Sequence, residues 1–208
     1  MGDLKGRLSP PSTIHLCIDM QRLFGSDGPW PTPWLTRVLP VVNRLVEHAP
    51  HRTVFTRFLT PETADEAAGM WRPYYRKWHA ATRKEMDPAT LELLPELKAH
   101  VPPGRVFDKF VYSAFAHPAL HVFLRERAVD TLILTGSETD VCVLSTALSA
   151  IDHGYRVVIV RDAVCSSSDE AHDALIDLYT RRFDVQIELA DCPEILENWP
   201  MVPPPPPL

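Results

Sequence analysis

Cys142 lies in Gly136-Ser-Glu-Thr-Asp-Val-Cys142-Val, between a strand-like run and a helical one. A thiol in the first turn of a helix meets free backbone N–H groups and the positive end of the dipole, and both favour the thiolate. Asp19 ends the run Ile14-His-Leu-Cys-Ile-Asp19, and Lys109 ends Arg105-Val-Phe-Asp-Lys109. Taken singly, each has a plainer explanation: a packed cysteine, an N-cap aspartate, a surface lysine. Taken together they are a nucleophile, a proton acceptor and a cation. The acceptor would take the thiol proton, and the cation would keep thiolate and carboxylate from repelling each other. Three such groups act as one only if the fold brings strand C-termini to a common edge, as an open parallel sheet does.

The pattern of elements predicts that sheet. Strands are expected at 13–19, 52–57, 106–109, 131–135, 156–160 and 185–189. Helices are expected at about 35–46, near 89–99, and at 118–127, 140–153 and 168–182, with Gly154 stopping the fourth. Pro40 falls in the first turn of its helix or kinks it. Strands alternating with helices imply a three-layer α/β fold, a doubly wound sheet of about six parallel strands with helices on both faces. The excursion from 58 to 103 carries Trp71, Tyr74, Tyr75 and Trp78; it reads either as a lid or pocket wall or as a helical hairpin on the sheet edge. Residues 1–12 read as a flexible leader, 13–199 as one domain, and 200–208 as a proline-rich, extended tail.

Bulk properties narrow the partners. The chain has 208 residues and a formal net charge of -6, which argues against a nucleic-acid surface. No stretch approaches the roughly 18 apolar residues that span a bilayer. The four cysteines, Cys17, Cys142, Cys165 and Cys192, show no paired or zinc-like spacing, so a reducing cytoplasm is expected. No GxGxxG or Walker-type loop follows any strand, which removes support for a nucleotide binder.

The segments Ile18-Asp19-Met-Gln21, Lys109-Phe-Val-Tyr-Ser113-Ala-Phe115, Gly136 to Val143 and Val160-Arg-Asp162-Ala163 stand in one order. In these the chain resembles the isochorismatase-like cysteine hydrolase superfamily, which includes nicotinamidases, N-carbamoylsarcosine amidase and ureidoacrylate amidohydrolases. The resemblance implies a catalytic triad of Asp19, Lys109 and Cys142. It also implies a cis peptide between Ser137 and Glu138, and an oxyanion hole made by the backbone N–H groups of Glu138 and Cys142. The implied activity is hydrolysis of an amide or ureido C–N bond in a small molecule through a Cys142 thioester. A homodimer or homotetramer is implied as well.

Two departures refine that expectation. Nicotinamidases carry an Asp-x-His metal site after the second strand, whereas this chain has Thr56-Arg57-Phe58-Leu59 there. No catalytic metal and no cofactor are therefore expected. Isochorismatases proper cleave a vinyl ether without needing a thiol, so a retained Cys142 favours C–N hydrolysis. Vinyl ether hydrolysis, or a non-catalytic or redox-sensing role, remain the alternatives. Specificity is assigned to Phe24, Arg57, Phe58, Trp71, Tyr75 and Phe115, with Arg57 or Arg72 gripping a substrate carboxylate.

Overall fold

Six short runs of apolar and β-branched residues pair side by side, all parallel, into one sheet. They are β1 (Thr13–Ile18), β2 (Thr53–Phe58), β3 (Arg105–Lys109), β4 (Thr131–Ser137), β5 (Arg156–Cys165) and β6 (Ile187–Ala190). Their order across the sheet is β3-β2-β1-β4-β5-β6. This computed structural model describes residues 4–201. The expected parallel sheet of six strands is present, and the order reverses between β1 and β4, the switch point at which open α/β sheets bind ligands.

Strand alternation divides the core in two. Cys17, Phe55, Ile133 and Val158 face one way, and pack with Leu35, Val38, Val42, Leu45 and Val46 of α1 (Leu35–His48). Ile195 of α7 (Cys192–Asn198) joins the same side. Leu16, Ile18, Leu132, Leu134 and Ile159 face the other way. They meet α4 (Pro118–Glu126), α5 (Leu144–Asp152) and α6 (Asp169–Arg182) through Leu124, Ala147 and Tyr179. A period of two along each strand thus serves two apolar layers. Pro40 lies well inside α1 on its exposed side, where water can satisfy the carbonyl it leaves unpaired.

Several expectations change in detail. The helix expected near 89–99 is a 3-10 turn at Pro88–Leu91 and the four-residue α3 (Pro95–Lys98). Pro95 holds Leu94 extended, and Leu93 bridges to Gln21. The fifth strand runs on to Cys165, because Val164 and Cys165 rejoin Gly136 and Ser137 after a register shift. Residues 4–12, expected to fray, are seated: Leu8 is buried, and its N–H donates to the Asn198 carbonyl at 3.0 Å. α7 was not expected, although Asp191 before Cys192-Pro193 is a helix-start signal. Residues 202–208, most of the expected proline tail, lie outside the described residues. Among the described residues no helix is long and apolar enough to cross a membrane.

Candidate active site

β1 delivers Asp19. The residue turns into the left-handed region at φ 50, which aspartate tolerates better than most, and the Gln21 N–H donates to its carbonyl at 2.8 Å. Its side chain is fully buried. Thr56 on β2 fixes it twice: the hydroxyl donates to Oδ1 at 2.6 Å and accepts from the Asp19 N–H at 3.2 Å. Gln21 then ties this turn to the end of β2, accepting from the Phe58 N–H at 2.7 Å and donating to the Leu91 carbonyl at 2.7 Å.

Lys109 comes from the edge strand β3, two strands away, and reaches back across Phe58, whose ring lies 4.8 Å from Nζ. Nζ sits 2.7 Å from Asp19 Oδ2 and donates to the Val111 carbonyl at 3.1 Å and to Cys142 Sγ at 3.4 Å. The contact with Oδ2 is an ion pair without the alignment of a hydrogen bond. Burial works against the ammonium, yet the charge of Asp19 and the contact with Cys142 outweigh it and hold Lys109 above its ordinary range.

Cys142 follows β4. The chain leaves the sheet through Gly136, at φ 114, where a Cβ would meet the Ile18 carbonyl oxygen at 2.0 Å. Only glycine lets β1 and β4 approach this closely. The Ser137–Glu138 peptide is cis. Cys142 then lies not in an α-helical turn but in a wider π turn, Thr139–Val143, in which the Val143 N–H donates to the Glu138 carbonyl at 3.0 Å. Such turns recur at functional sites. Burial pushes the thiol well up, Lys109 pulls it down, and Asp19 pushes it up again. The balance favours the thiol over the thiolate.

A cavity of about 520 Å³ opens onto the sulfur. Of the residues assigned to substrate, Phe24 and Phe58 line it, and Glu138, expected as an oxyanion donor, lines it too. The other four do not. Arg57 stands opposite Asp108 in the β2–β3 register, holds both its carboxylate oxygens at 2.8 and 3.0 Å, and pairs with Glu92 at 3.0 Å. Phe115 is packed in the opposite core beside His153 and Tyr155. Trp71 and Tyr75 stand behind the wall, Trp71 against Tyr112 at 4.8 Å and Tyr75 against Trp30 at 6.5 Å. The wall itself is Trp30, Tyr74, Trp78 and Tyr112, with Val141 and Ser167. Tyr112 lies within the Lys109–Phe115 segment and Ser167 shortly after the Val160–Ala163 one, but no periodicity in the sequence aims them inward. Among the described residues no group of three or more His, Cys, Asp or Glu side chains could hold a metal ion.

Comparison with known proteins shows the family and the fold. The Isochorismatase domain family model matches residues 13–191. The uncharacterized isochorismatase family protein PncA of Bacillus subtilis (strain 168) is 37% identical over 98 residues, 46% of this chain and 54% of that protein. N-carbamoylsarcosine amidase of Arthrobacter sp is 28% identical over 158 residues, 74% of this chain and 59% of that protein. The chain thus matches little more than half the length of these two relatives. The crystal structure of a cysteine hydrolase from Pseudomonas syringae pv. phaseolicola 1448A superposes with a TM-score of 0.82 at 20% identity, covering 94% of this chain and 95% of that one, a likeness of fold.

Proposed function

The chain belongs to the isochorismatase family, and from that premise we propose that it hydrolyses the C–N bond of a small amide or ureido compound through a thioester on Cys142. The observation that carries this reading is the buried contact of three side chains: Lys109 Nζ lies 2.7 Å from Asp19 and 3.4 Å from Cys142 Sγ. Lys109 stays charged, so it is not the base; the adjoining carboxylate is the remaining acceptor. The N-carbamoylsarcosine amidase relative supports an amide-type bond.

In this scheme Asp19 takes the thiol proton as Sγ attacks the carbonyl carbon, and Lys109 neutralises the charge that appears on sulfur. The backbone N–H groups of Glu138 and Cys142 hold the oxyanion, a contribution worth about a hundredfold or more per donor. The tetrahedral species collapses, the C–N bond breaks, and Asp19 returns its proton to the leaving nitrogen. Water then adds to the thioester, giving its proton to the same carboxylate. As the C–S bond breaks, the proton passes back to sulfur and the acid is released.

The test is a release assay over small amides and ureido acids, with intact-mass spectrometry of the protein. Wild type should turn over at least one compound and show a mass increase equal to its acyl group. Cys142→Ala should show neither, with turnover reduced about 10⁴-fold or more. Hydrolysis by Cys142→Ala at the wild-type rate would overturn the scheme.

A further inference from the structure

The cavity above Cys142 is an aromatic box with one acidic wall. Trp30 is its hub, with ring centroids 5.9 Å from Tyr74, 6.1 Å from Phe58 and 6.4 Å from Trp78. Glu138 is the one carboxyl on the lining, and no Arg, Lys or His lines it among the described residues. Lys109 is buried beneath and paired with Asp19, and Lys77 Nζ lies 5.4 Å from the centroid of the Trp78 ring. Glu138 accepts a long contact from the Thr32 hydroxyl at 3.5 Å and interacts with Ser167, but it has no cationic neighbour among the described residues. Burial, with Asp140 adding to it, makes its charged form costly. The phenols of Tyr74 and Tyr112 are pushed up by burial first, then by Glu138 and Cys142 among other groups, so they stay neutral.

Electron-rich ring faces with a lone carboxylate are chemistry that recognises a cation. We propose that this cavity selects amides carrying a positively charged nitrogen, held against Trp30, Tyr74 and Trp78 with Glu138 as its counter-charge, and that it rejects amides carrying a carboxylate. The assignment of the scissile bond rests on the hydrolase reading above; the charge preference is a property of the cavity itself. Lys109 fixes the orientation. A second cation next to Sγ would be repelled, so the carbonyl sits at Cys142 and the charged nitrogen lies toward the mouth, where Trp78 and Tyr112 are partly exposed at 38% and 37%. The same argument removes the arginine grip expected from the sequence, because Arg57 is committed to Asp108 and Glu92 outside the cavity.

Three amides of one shape separate charge from size: benzamide with a para tert-butyl, a para trimethylammonium or a para carboxylate group. Calorimetric titration of the full chain as Cys142→Ser measures binding without turnover. The trimethylammonium amide should bind about tenfold tighter than its tert-butyl isostere, and the carboxylate about tenfold weaker. Adding Glu138→Gln should cut the cation advantage over the tert-butyl isostere about fivefold. The advantage should also shrink with added salt, which reads the charge in the unmutated cavity. Equal binding of the cation and its isostere, tighter binding of the carboxylate, no binding of any of the three, or an advantage insensitive to both Glu138→Gln and salt would overturn the proposal. If the cation binds as described while the wild-type protein hydrolyses no amide, the hydrolase reading fails and the charge preference stands.

Discussion

Lys109→Met removes the one cation in the buried cluster and leaves the rest of the site in place. Nζ lies 2.7 Å from Asp19 Oδ2, and the two side chains are 2% and 0% exposed. At an effective dielectric of about 20, that separation is worth about 6 kcal/mol of attraction. Burying two ions costs several kcal/mol each, so the intact pair adds little net stability. Deleting one partner is different, because the other charge stays buried and bare, at a loss of about 3–5 kcal/mol. In a chain of this size each kcal/mol moves Tm by about 2–4 °C, so Lys109→Met should melt about 6–20 °C lower. The double variant Asp19→Asn with Lys109→Met has no stranded charge and should recover about half of that loss or more. Sign and window are clear. Lys109 is held above 10.5 in the folded state, so its contribution is fully present below the ordinary lysine range and is lost only as pH rises through the higher folded value. Urea unfolding of the four proteins at pH 7 therefore reads the whole effect. Single substitutions whose losses simply add in the double variant, or a Lys109→Met protein within about 1 kcal/mol of wild type, would show that the charges are not coupled.

His15, buried between Thr53 and Thr135 at 3.3 and 2.8 Å, is pushed down to about 3 by its burial. The unfolded chain takes that proton near 6.5, so stability falls by roughly 1.4 kcal/mol per pH unit below it, about 2.7 kcal/mol by pH 4.5. His15→Gln should flatten the slope of unfolding free energy over that interval; parallel slopes would refute the assignment. Gly136→Ala places a methyl 2.0 Å from the Ile18 carbonyl at φ 114 and should cost more than about 4 kcal/mol, whereas Gly154→Ala, at φ 85 in open space, should cost about 1–2 kcal/mol. Equal melting temperatures for the two variants would contradict the close approach of β1 and β4.

The strands were legible because a sheet covered on both faces leaves uninterrupted apolar runs, as in Thr131 to Thr135. The candidate residues were legible because Asp19 and Cys142 follow such runs, while Lys109 ends the short edge strand Arg105–Lys109. Details were lost where local pattern competes with a distant partner. Residues 4–12 read as polar leader because the sequence does not reveal that Glu188 accepts from the Lys5 N–H at 2.6 Å. The turn that carries Cys142 is π rather than α, a difference of one residue per turn that hydrophobic spacing cannot register. Which aromatics face the cavity was the least legible. Trp71, Tyr74, Tyr75 and Trp78 lie within eight positions of one another, yet two line the cavity and two stand behind it. Composition is the same for both pairs; only the placement of α2 (Trp71–Lys77) against Trp30 separates them.

The division of labour across the sheet explains why chemistry and specificity separate so cleanly here. Asp19 and Cys142 follow adjacent strands, β1 and β4, so their approach is set by sheet pairing and by the absence of a side chain at Gly136. Lys109 enters from β3 and needs its full length to pass Phe58, while Thr56 on the strand between holds the carboxylate it reaches. These contacts are properties of the sheet, and a change in any one strand disturbs all three groups. The walls come from elsewhere: Trp30 from the loop after β1, Tyr74 and Trp78 from the excursion after β2, Tyr112 from the segment after β3, Glu138 from the turn after β4. Loops can change sign and shape without moving the sheet, so kinship through the sheet leaves the substrate open. The discriminating quantity is the charge on the wall. Glu138→Gln alters that charge at one atom pair, and a change in the binding order of cationic, neutral and anionic amides would locate specificity in the loops.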